Sequence, residues 1–298
     1  MTGRFAPSPT GSFHVGNLRT GLIAWAQARS QGSRFVMRME DIDDRSRPEH
    51  GQSQLADLTE IGIDWDELVY QSARRACHDR VIEELLSRGL LYECYCTRAD
   101  IARAPTAPHA PPGAYPGTCR NLSDKEREAG RAKLSGMNRG PALRLKTSGE
   151  AVTVRDEICG EHTGYVDDFV IRRGDGAVAY NLVCVVDDGT DGITEIVRAD
   201  DLLSSTPRQV YLQRLLGIDT PAYYHVPLVV NREGKRLAKR DGDVTLQALK
   251  ERGWSVREVI ELITDSLGMR SASAEEFLER FNIRDIPREP WVFIPPAD

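Results

Sequence analysis

The chain has 298 residues, 40% hydrophobic and 28% charged, which suits one large or two modest globular domains and excludes a collagen-like, coiled-coil or largely disordered chain. Lys plus Arg number 39 against 45 Asp plus Glu, a net charge of −6, which argues against DNA and against bulk electrostatic binding of RNA but leaves room for a local basic face. No apolar run approaches the ~18 residues of a membrane span, and no basic segment precedes an apolar one at the N-terminus, so no membrane partner and a cytoplasmic location are expected.

In chain order, Gly3–Ala6 reads as a short strand and Pro7-Ser8-Pro9-Thr10-Gly11 as a sharp turn. A helix is predicted from His14 to about Arg29, with Leu18, Leu22, Ile23, Trp25 and Ala26 near helical spacing. Arg34–Met39 is an apolar strand ending in the acidic run Glu40–Asp44. Helices around Gly51–Ile61 and Arg74–Arg88 follow, so strands alternate with helices as in βαβ units and a parallel sheet. Five prolines make Ala104–Gly117 a loop, and residues 142–147, 151–158, 165–172 and 177–187 read as strands of a more antiparallel piece. The chain then returns to helix from Arg198 to Leu216, to an apolar strand over His225–Asn231, to the basic loop Arg232–Arg240, and to helix over Thr245–Phe281.

Three segments carry chemistry. In Phe13-His14-Val15-Gly16-Asn17, a histidine stands at a helix start, where unpaired N–H groups suit a phosphate, and Gly16 permits close backbone approach. A purely structural His14 is the plain alternative. The segment is not a P-loop, because Leu22 stands where that motif needs its lysine. In Gly234-Lys235-Arg236-Leu237-Ala238-Lys239-Arg240-Asp241-Gly242, lysines could neutralise charge on a phosphate in transfer, although an isolated basic run is more often a solvated loop. Cys94, Cys96 and Cys119 fall close together in a chain without a disulfide framework, and three thiolates are a fair start on tetrahedral zinc, with buried free thiols as the alternative. On chemistry the fourth ligand could be His109 or Tyr115. Magnesium at Glu40–Asp44 is less plausible than Mg²⁺ carried in by a nucleotide, and Asp187-Asp188 and Asp200-Asp201 read as turn and helix-cap carboxylates.

Taken together, RFAPSPTG with His14-x-Gly16-Asn17 at the start and KRLAKRDG late in the chain resemble the two signatures of class I aminoacyl-tRNA synthetases. Met39–Asp43, Ala179–Leu182 and Thr194–Arg198 resemble blocks of the glutamyl branch, in the right order over roughly residues 3–245. In the second signature the family's first lysine is Arg236 here and its serine is Ala238, while Lys239 is retained. The resemblance implies an α/β fold: a Rossmann-like parallel-sheet catalytic domain in two halves (1–92 and 198–244), an inserted α+β zinc-containing subdomain (93–197), and a short helical C-terminal region (245–298).

Glutamate carries two carboxylates and one ammonium, so its pocket should supply two cations and one anion. Arg4 and Arg198 are the candidates for the carboxylates and Glu40 for the ammonium, with Ser8 and Tyr180 adding hydroxyls. The resemblance adds Phe5, Ala6 and Pro7 to the glutamate-binding block, assigns ATP to His14, Gly16, Asn17 and Lys239, and makes His14 and Lys239 catalytic. At Cys184 glutamyl-tRNA synthetases usually have asparagine. A C-x-C…Y-x-x-x-C pattern, as in Cys94, Cys96, Tyr115 and Cys119, is typical of one small family, the glutamyl-Q tRNA(Asp) synthetases, and this chooses Tyr115 for a structural zinc. Only 56 residues follow Gly242, short of the anticodon-reading domain of a full glutamyl-tRNA synthetase. The resemblance therefore implies a ligase that forms glutamyl-adenylate from L-glutamate and ATP with Mg²⁺, without tRNA, and passes glutamate to queuosine in the anticodon of tRNA(Asp). Charging of a tRNA 3′ end is the alternative.

Overall fold

Alternating apolar strands and helices in the first 90 residues fold as one half of a mainly parallel sheet, and the other half comes from strands over 150–166 and 195–226. The structure, a computed structural model, describes residues 1–103, 111, 113–237 and 244–295. Its elements in order are β1 (Thr2–Phe5), α1 (Val15–Ser30), β2 (Arg34–Met39), α2 (Pro48–Glu60), β3 (Glu67–Tyr70), α3 (Arg75–Ser87), β4 (Leu91–Cys94), α4 (Arg98–Arg103), α5 (Asp124–Ser135), β5 (Ala142–Leu145), β6 (Glu150–Asp156), β7 (Gly160–Val166) and β8 (Val170–Arg172). There follow α6 (Tyr180–Thr190), β9 (Glu195–Ala199), α7 (Thr206–Leu216), β10 (Ala222–Val226), β11 (Val229–Val230), α8 (Leu246–Glu251), α9 (Val256–Asp265), α10 (Ala274–Arg280) and β12 (Trp291–Val292).

Among the described residues the main sheet has seven strands in the order β3-β2-β1-β9-β10-β6-β7, parallel except for the last pair. The order reverses between β1 and β9, where Arg4 pairs in register with Val36 on one side and Ile196 on the other. Such a switch point opens a crevice beyond the carboxyl ends of the strands. Both faces of this sheet are covered, which is why β2 is buried at every position from Phe35 onward instead of alternating. Phe35, Met37 and Met39 pack against Leu18 and Leu22 of α1 and Phe277 of α10. Val36 faces the other way, towards Ile82 and Leu85 of α3 and Leu182 of α6. A second sheet of three antiparallel strands has the order β4-β5-β8.

Four readings of the sequence need correction, the first being the strand expected over 165–172, which is the end of β7 and, after a break, β8 of the other sheet. Residues 180–190 are helix, not part of a 177–187 strand. An unbroken apolar run such as Leu182–Val186 has no period to tell a strand from a buried helix. Arg198 ends β9 rather than starting a helix: a 3-10 turn over Asp200–Ser205 intervenes, and α7 begins only at Thr206, with Pro207 in its first turn. The strand expected over His225–Asn231 is split at Pro227 into the end of β10 and the short β11.

Candidate active site

The crevice at the switch point contains a cavity of about 710 Å³ lined by Arg4, Phe5, Ala6, Pro7 and Ser8 from the end of β1 and its turn, and by Glu40 from the end of β2. Arg198 from β9, Tyr180 from the start of α6, and His14 and Asn17 from α1 complete the wall. Arg4 and Arg198, 194 positions apart, thus meet because the ends of three strands of one sheet and the N-termini of two helices converge there. Gly16 does not line the cavity. Its role is steric: a Cβ there would lie 2.9 Å from the His14 ring. Gly16 N–H donates to His14 Nδ1 at 3.1 Å and His14 N–H donates to Asn17 Oδ1, a capping arrangement that closes the N-terminus of α1. With Nδ1 an acceptor, the neutral ring carries its proton on Nε2. Arg236 and Leu237 reach the cavity wall, and Arg236 pairs with Asp201 at 2.6 Å. Lys239 and Ala238 lie outside the described residues, as does His109.

Behind the cavity wall is an ionic network that the sequence reading missed. Arg38 is fully buried, and its guanidinium donates to Asp188 Oδ1 at 2.7 Å, to Asp191 at 3.3 Å and to Glu40 Oε1 at 3.3 Å. Asp188 also accepts from Arg4 Nε at 3.3 Å. Burial alone would raise the pKa of Asp188, but the charges of Arg38 and Arg4 outweigh it and hold the carboxyl below its ordinary range. Burial raises the pKa of Glu40, opposed by Arg38 and Arg4, so an incoming ammonium would meet a carboxylate whose charge is only partly compensated. Asp187 accepts from Gln71 at 2.7 Å and lies 2.8 Å from His78 Nε2. Asp187 and Asp188 are therefore buried anchors, not turn or cap carboxylates. Asp200 and Asp201 do open a turn.

The helical form of α6 explains the layout. At intervals of four residues, Tyr180, Cys184 and Asp188 lie along one helix face, about one turn apart. Tyr180 lines the cavity, the Cys184 thiol donates to Glu40 Oε1 at 3.7 Å, and Asp188 holds Arg4. Burial pushes the Cys184 thiol well above its ordinary pKa, so it stays neutral beside Glu40.

Arg198 is 4% exposed and is fixed from behind by uncharged groups. Its Nε donates to His225 Nε2 at 2.9 Å and its Nη2 to Thr206 Oγ1 at 2.9 Å. The ring of His225 reaches in turn to Asp156 Oδ2 through Nδ1 at 2.6 Å.

Next to this cavity is a second of about 980 Å³, which shares Ser8, Glu40, Asp43 and Tyr180 with it and has Arg98, Arg139 and Arg144 in its walls. Cys94 and Cys96 lie in the same walls. The thiols of Cys94, Cys96 and Cys119 come within 4.8 Å of one another, a group that could hold a metal ion. The Tyr115 hydroxyl stands 3.4 Å from Cys94 Sγ and 3.9 Å from Cys96 Sγ, and accepts from Cys119 N–H at 2.9 Å. The Cys119 hydrogen bond, helped by the nearby Arg144 guanidinium, lowers the pKa of the Cys94 thiol. Burial and the neighbouring Cys94 raise that of Cys96, and Cys94 and burial that of Cys119, so that without a cation the cluster holds one thiolate, at Cys94. Two buried thiols, a half-buried one and a phenol at these separations fit a closed four-ligand site.

The sequence matches the family of class I tRNA synthetases (E and Q), catalytic domain, over residues 1–288. It is 53% identical over 291 residues to the glutamyl-Q tRNA(Asp) synthetase of Nocardia farcinica, spanning 97% of this chain and 92% of the relative. For the glutamyl-Q tRNA(Asp) synthetase of Symbiobacterium thermophilum the figures are 41%, 97% and 95%. A glutamate–tRNA ligase of Bacillus licheniformis is 38% identical, and the chain spans 64% of its length. Among solved structures, a glutamate tRNA ligase from Elizabethkingia meningosepticum, in complex with its amino acid, superposes with a TM-score of 0.80 at 26% identity, over 99% of this chain and 67% of that one. Among the described residues no helix is long and apolar enough to cross a membrane.

Proposed function

This chain belongs to the class I tRNA synthetases (E and Q) and, within them, to the glutamyl-Q tRNA(Asp) synthetases, and from that we propose that it activates L-glutamate with ATP in the absence of tRNA and passes the glutamyl group to queuosine in the anticodon of tRNA(Asp). The coarser activity follows from the family: it is a ligase-type enzyme of the glutamate–tRNA synthetase kind. The observation that supports glutamate as the substrate is the charge pattern of the buried part of the smaller cavity: of the charged side chains that line it, those that are buried are Arg4, Arg198 and Glu40, two guanidiniums and one carboxylate, the complement of glutamate.

In this reading Arg4 and Arg198 bind the carboxylates of glutamate, Glu40 its ammonium, and Ser8 and Tyr180 contribute hydroxyls, with Phe5, Ala6 and Pro7 forming the adjoining wall. The substrate α-carboxylate attacks the α-phosphorus of ATP, the bond to the bridging oxygen breaks, and pyrophosphate leaves with that electron pair. His14 Nε2–H and the Lys239 ammonium stabilise the charge on the phosphates, and Asn17 holds the N-terminus of α1 closed against His14. Mg²⁺ arriving with ATP neutralises phosphate charge. A hydroxyl of the queuosine diol then attacks the acyl carbon, and AMP leaves. The larger cavity, which opens from the glutamate site past Tyr180 and carries several arginines, suits the entry of an anionic RNA loop. Cys94, Cys96, Cys119 and Tyr115 would hold one structural zinc, which ties the loop after β4 to the insertion. The reaction meets its tRNA in the cytoplasm.

Support for queuosine over a 3′ adenosine comes from the relatives: those spanned over more than nine-tenths of their length carry the glutamyl-Q name. The test is transfer of labelled glutamate to tRNA(Asp) with and without queuosine, followed by nuclease digestion to locate the label. Label confined to the queuosine-containing anticodon fragment is expected. Equal labelling of both tRNAs, or label on the terminal adenosine, would replace the reading with ordinary aminoacylation.

A further inference from the structure

We propose that His225, held by Asp156, is a positioning residue for the reaction: its unprotonated Nε2 accepts from Arg198 Nε and fixes that guanidinium at the wall of the glutamate cavity. The proposal rests on the reading of Arg198 as a glutamate-binding residue.

The geometry assigns the tautomer. Asp156 is an acceptor saturated by fixed donors: Oδ1 takes Ile158 N–H at 3.0 Å and Cys159 N–H at 2.7 Å, and Oδ2 takes His225 N–H at 3.1 Å. The remaining contact, His225 Nδ1 at 2.6 Å, must therefore donate to Oδ2, which leaves Nε2 as a lone-pair acceptor. Arg198 has only donors, so Nε2 and the Thr206 hydroxyl oxygen are complementary to it, and together they fix the plane of the guanidinium from two directions. Nη1 of Arg198 is buried and has no partner among the described residues. A buried guanidinium nitrogen without an acceptor costs free energy, and a substrate carboxylate in the adjoining cavity would remove that cost.

The same chemistry makes the relay sensitive to acid. Protonation of Nε2 would set two N–H donors against each other and two cations side by side. The groups that face His225 are Asp156 at the end of β6, Arg198 on β9, Arg4 on β1, Tyr223 on its own strand with rings stacked at 5.9 Å, Thr206 on α7, and Cys159, whose thiol donates to the His225 carbonyl. Burial is the main influence and lowers the ring's pKa. Asp156 opposes it, and Arg198 and Arg4 add to it, so the ring is neutral at ordinary pH.

The experiment is glutamate-dependent ATP–pyrophosphate exchange by the intact protein, reading KM for glutamate and for ATP separately. In His225→Leu the glutamate KM should rise on the order of tenfold, the cost of losing a hydrogen bond to a charged group, with the ATP KM within about twofold. His225→Gln can place an amide oxygen near the position of Nε2 and should restore most of the glutamate KM. In the wild type the glutamate KM should climb only as the pH falls below the ordinary imidazole range of about 6.5, because the ring's pKa is lowered, and His225→Gln should lack that rise. A glutamate KM in folded His225→Leu within twofold of wild type would overturn the relay, as would parallel rises in both KM values. If His225→Leu fails to fold, a wild-type glutamate KM that stays flat on acidification, or a rise that persists in His225→Gln, overturns it equally. Arg198→Ala separates the two levels. An unchanged glutamate KM there defeats the reading of the pocket, whereas a raised one beside a normal His225→Leu defeats the relay alone.

Discussion

The smaller cavity and the cysteine cluster lie on either side of the larger cavity, the first sharing Glu40 and Tyr180 with it and the second giving it Cys94 and Cys96, yet they are held together in different ways. Arg4, Glu40 and Arg198 each end a strand of the main sheet, and each is restrained again by a neighbour behind it: Asp188, Arg38 and His225 respectively. The three cysteines come from the end of β4, the residue pair after it and a turn, and the side-chain contacts of their sulfurs are mainly with one another and with Tyr115. The first site is built by the fold before any ligand arrives. The second is a set of donors whose geometry a metal would complete, as expected when binding energy is also folding energy.

That contrast can be broken most directly at Arg38. Arg38→Met should cost about 3–5 kcal/mol of stability, because Asp188, Asp191 and Glu40 would lose a buried cation, and the glutamate KM should rise with it. Urea denaturation beside pyrophosphate exchange measures both, and a loss under about 1 kcal/mol would mean that the network does not build the cavity. A second change acts on chemistry without touching the scaffold. Lys239→Ala should slow adenylate formation on the order of 10²–10³-fold with an unchanged melting curve, and near-normal exchange would remove Lys239 from the mechanism. The third and smallest effect on the cavity sharpens the comparison. Cys119→Ser should lower zinc from about one per chain and reduce thermal stability, while the glutamate KM stays within about twofold. Metal-free wild-type protein with six titratable thiols would leave the cluster as buried cysteines.

The two arginines of the cavity differ in a related way. Arg4 is compensated by a carboxylate, Arg198 by a neutral imidazole and a hydroxyl. Only Arg198 is therefore held without a carboxylate partner, and its holder is an imidazole whose pKa burial lowers, so that it accepts rather than competes for charge.

Arg4, Ser8, His14, Glu40 and the cysteines were legible because each lies within a short run whose residue types already imply chemistry. The parallel sheet was legible because strands alternating with helices have few other ways to bury two faces. The holders were not. Arg38 meets Asp188 across 150 residues and Asp156 meets His225 across 69, and nothing in either local stretch marks a partner. Residues 180–190 were misread for a related reason: five consecutive apolar residues look alike in a strand and in a buried helix, and tertiary packing alone decides between them. So the sequence by itself determined the family and the sheet and named the candidate groups, since these depend on local pattern. Which groups are pinned, which charge is left uncompensated and which imidazole must stay neutral depend on the low-dielectric contacts that form when distant strand ends converge, and only the tertiary structure decided those.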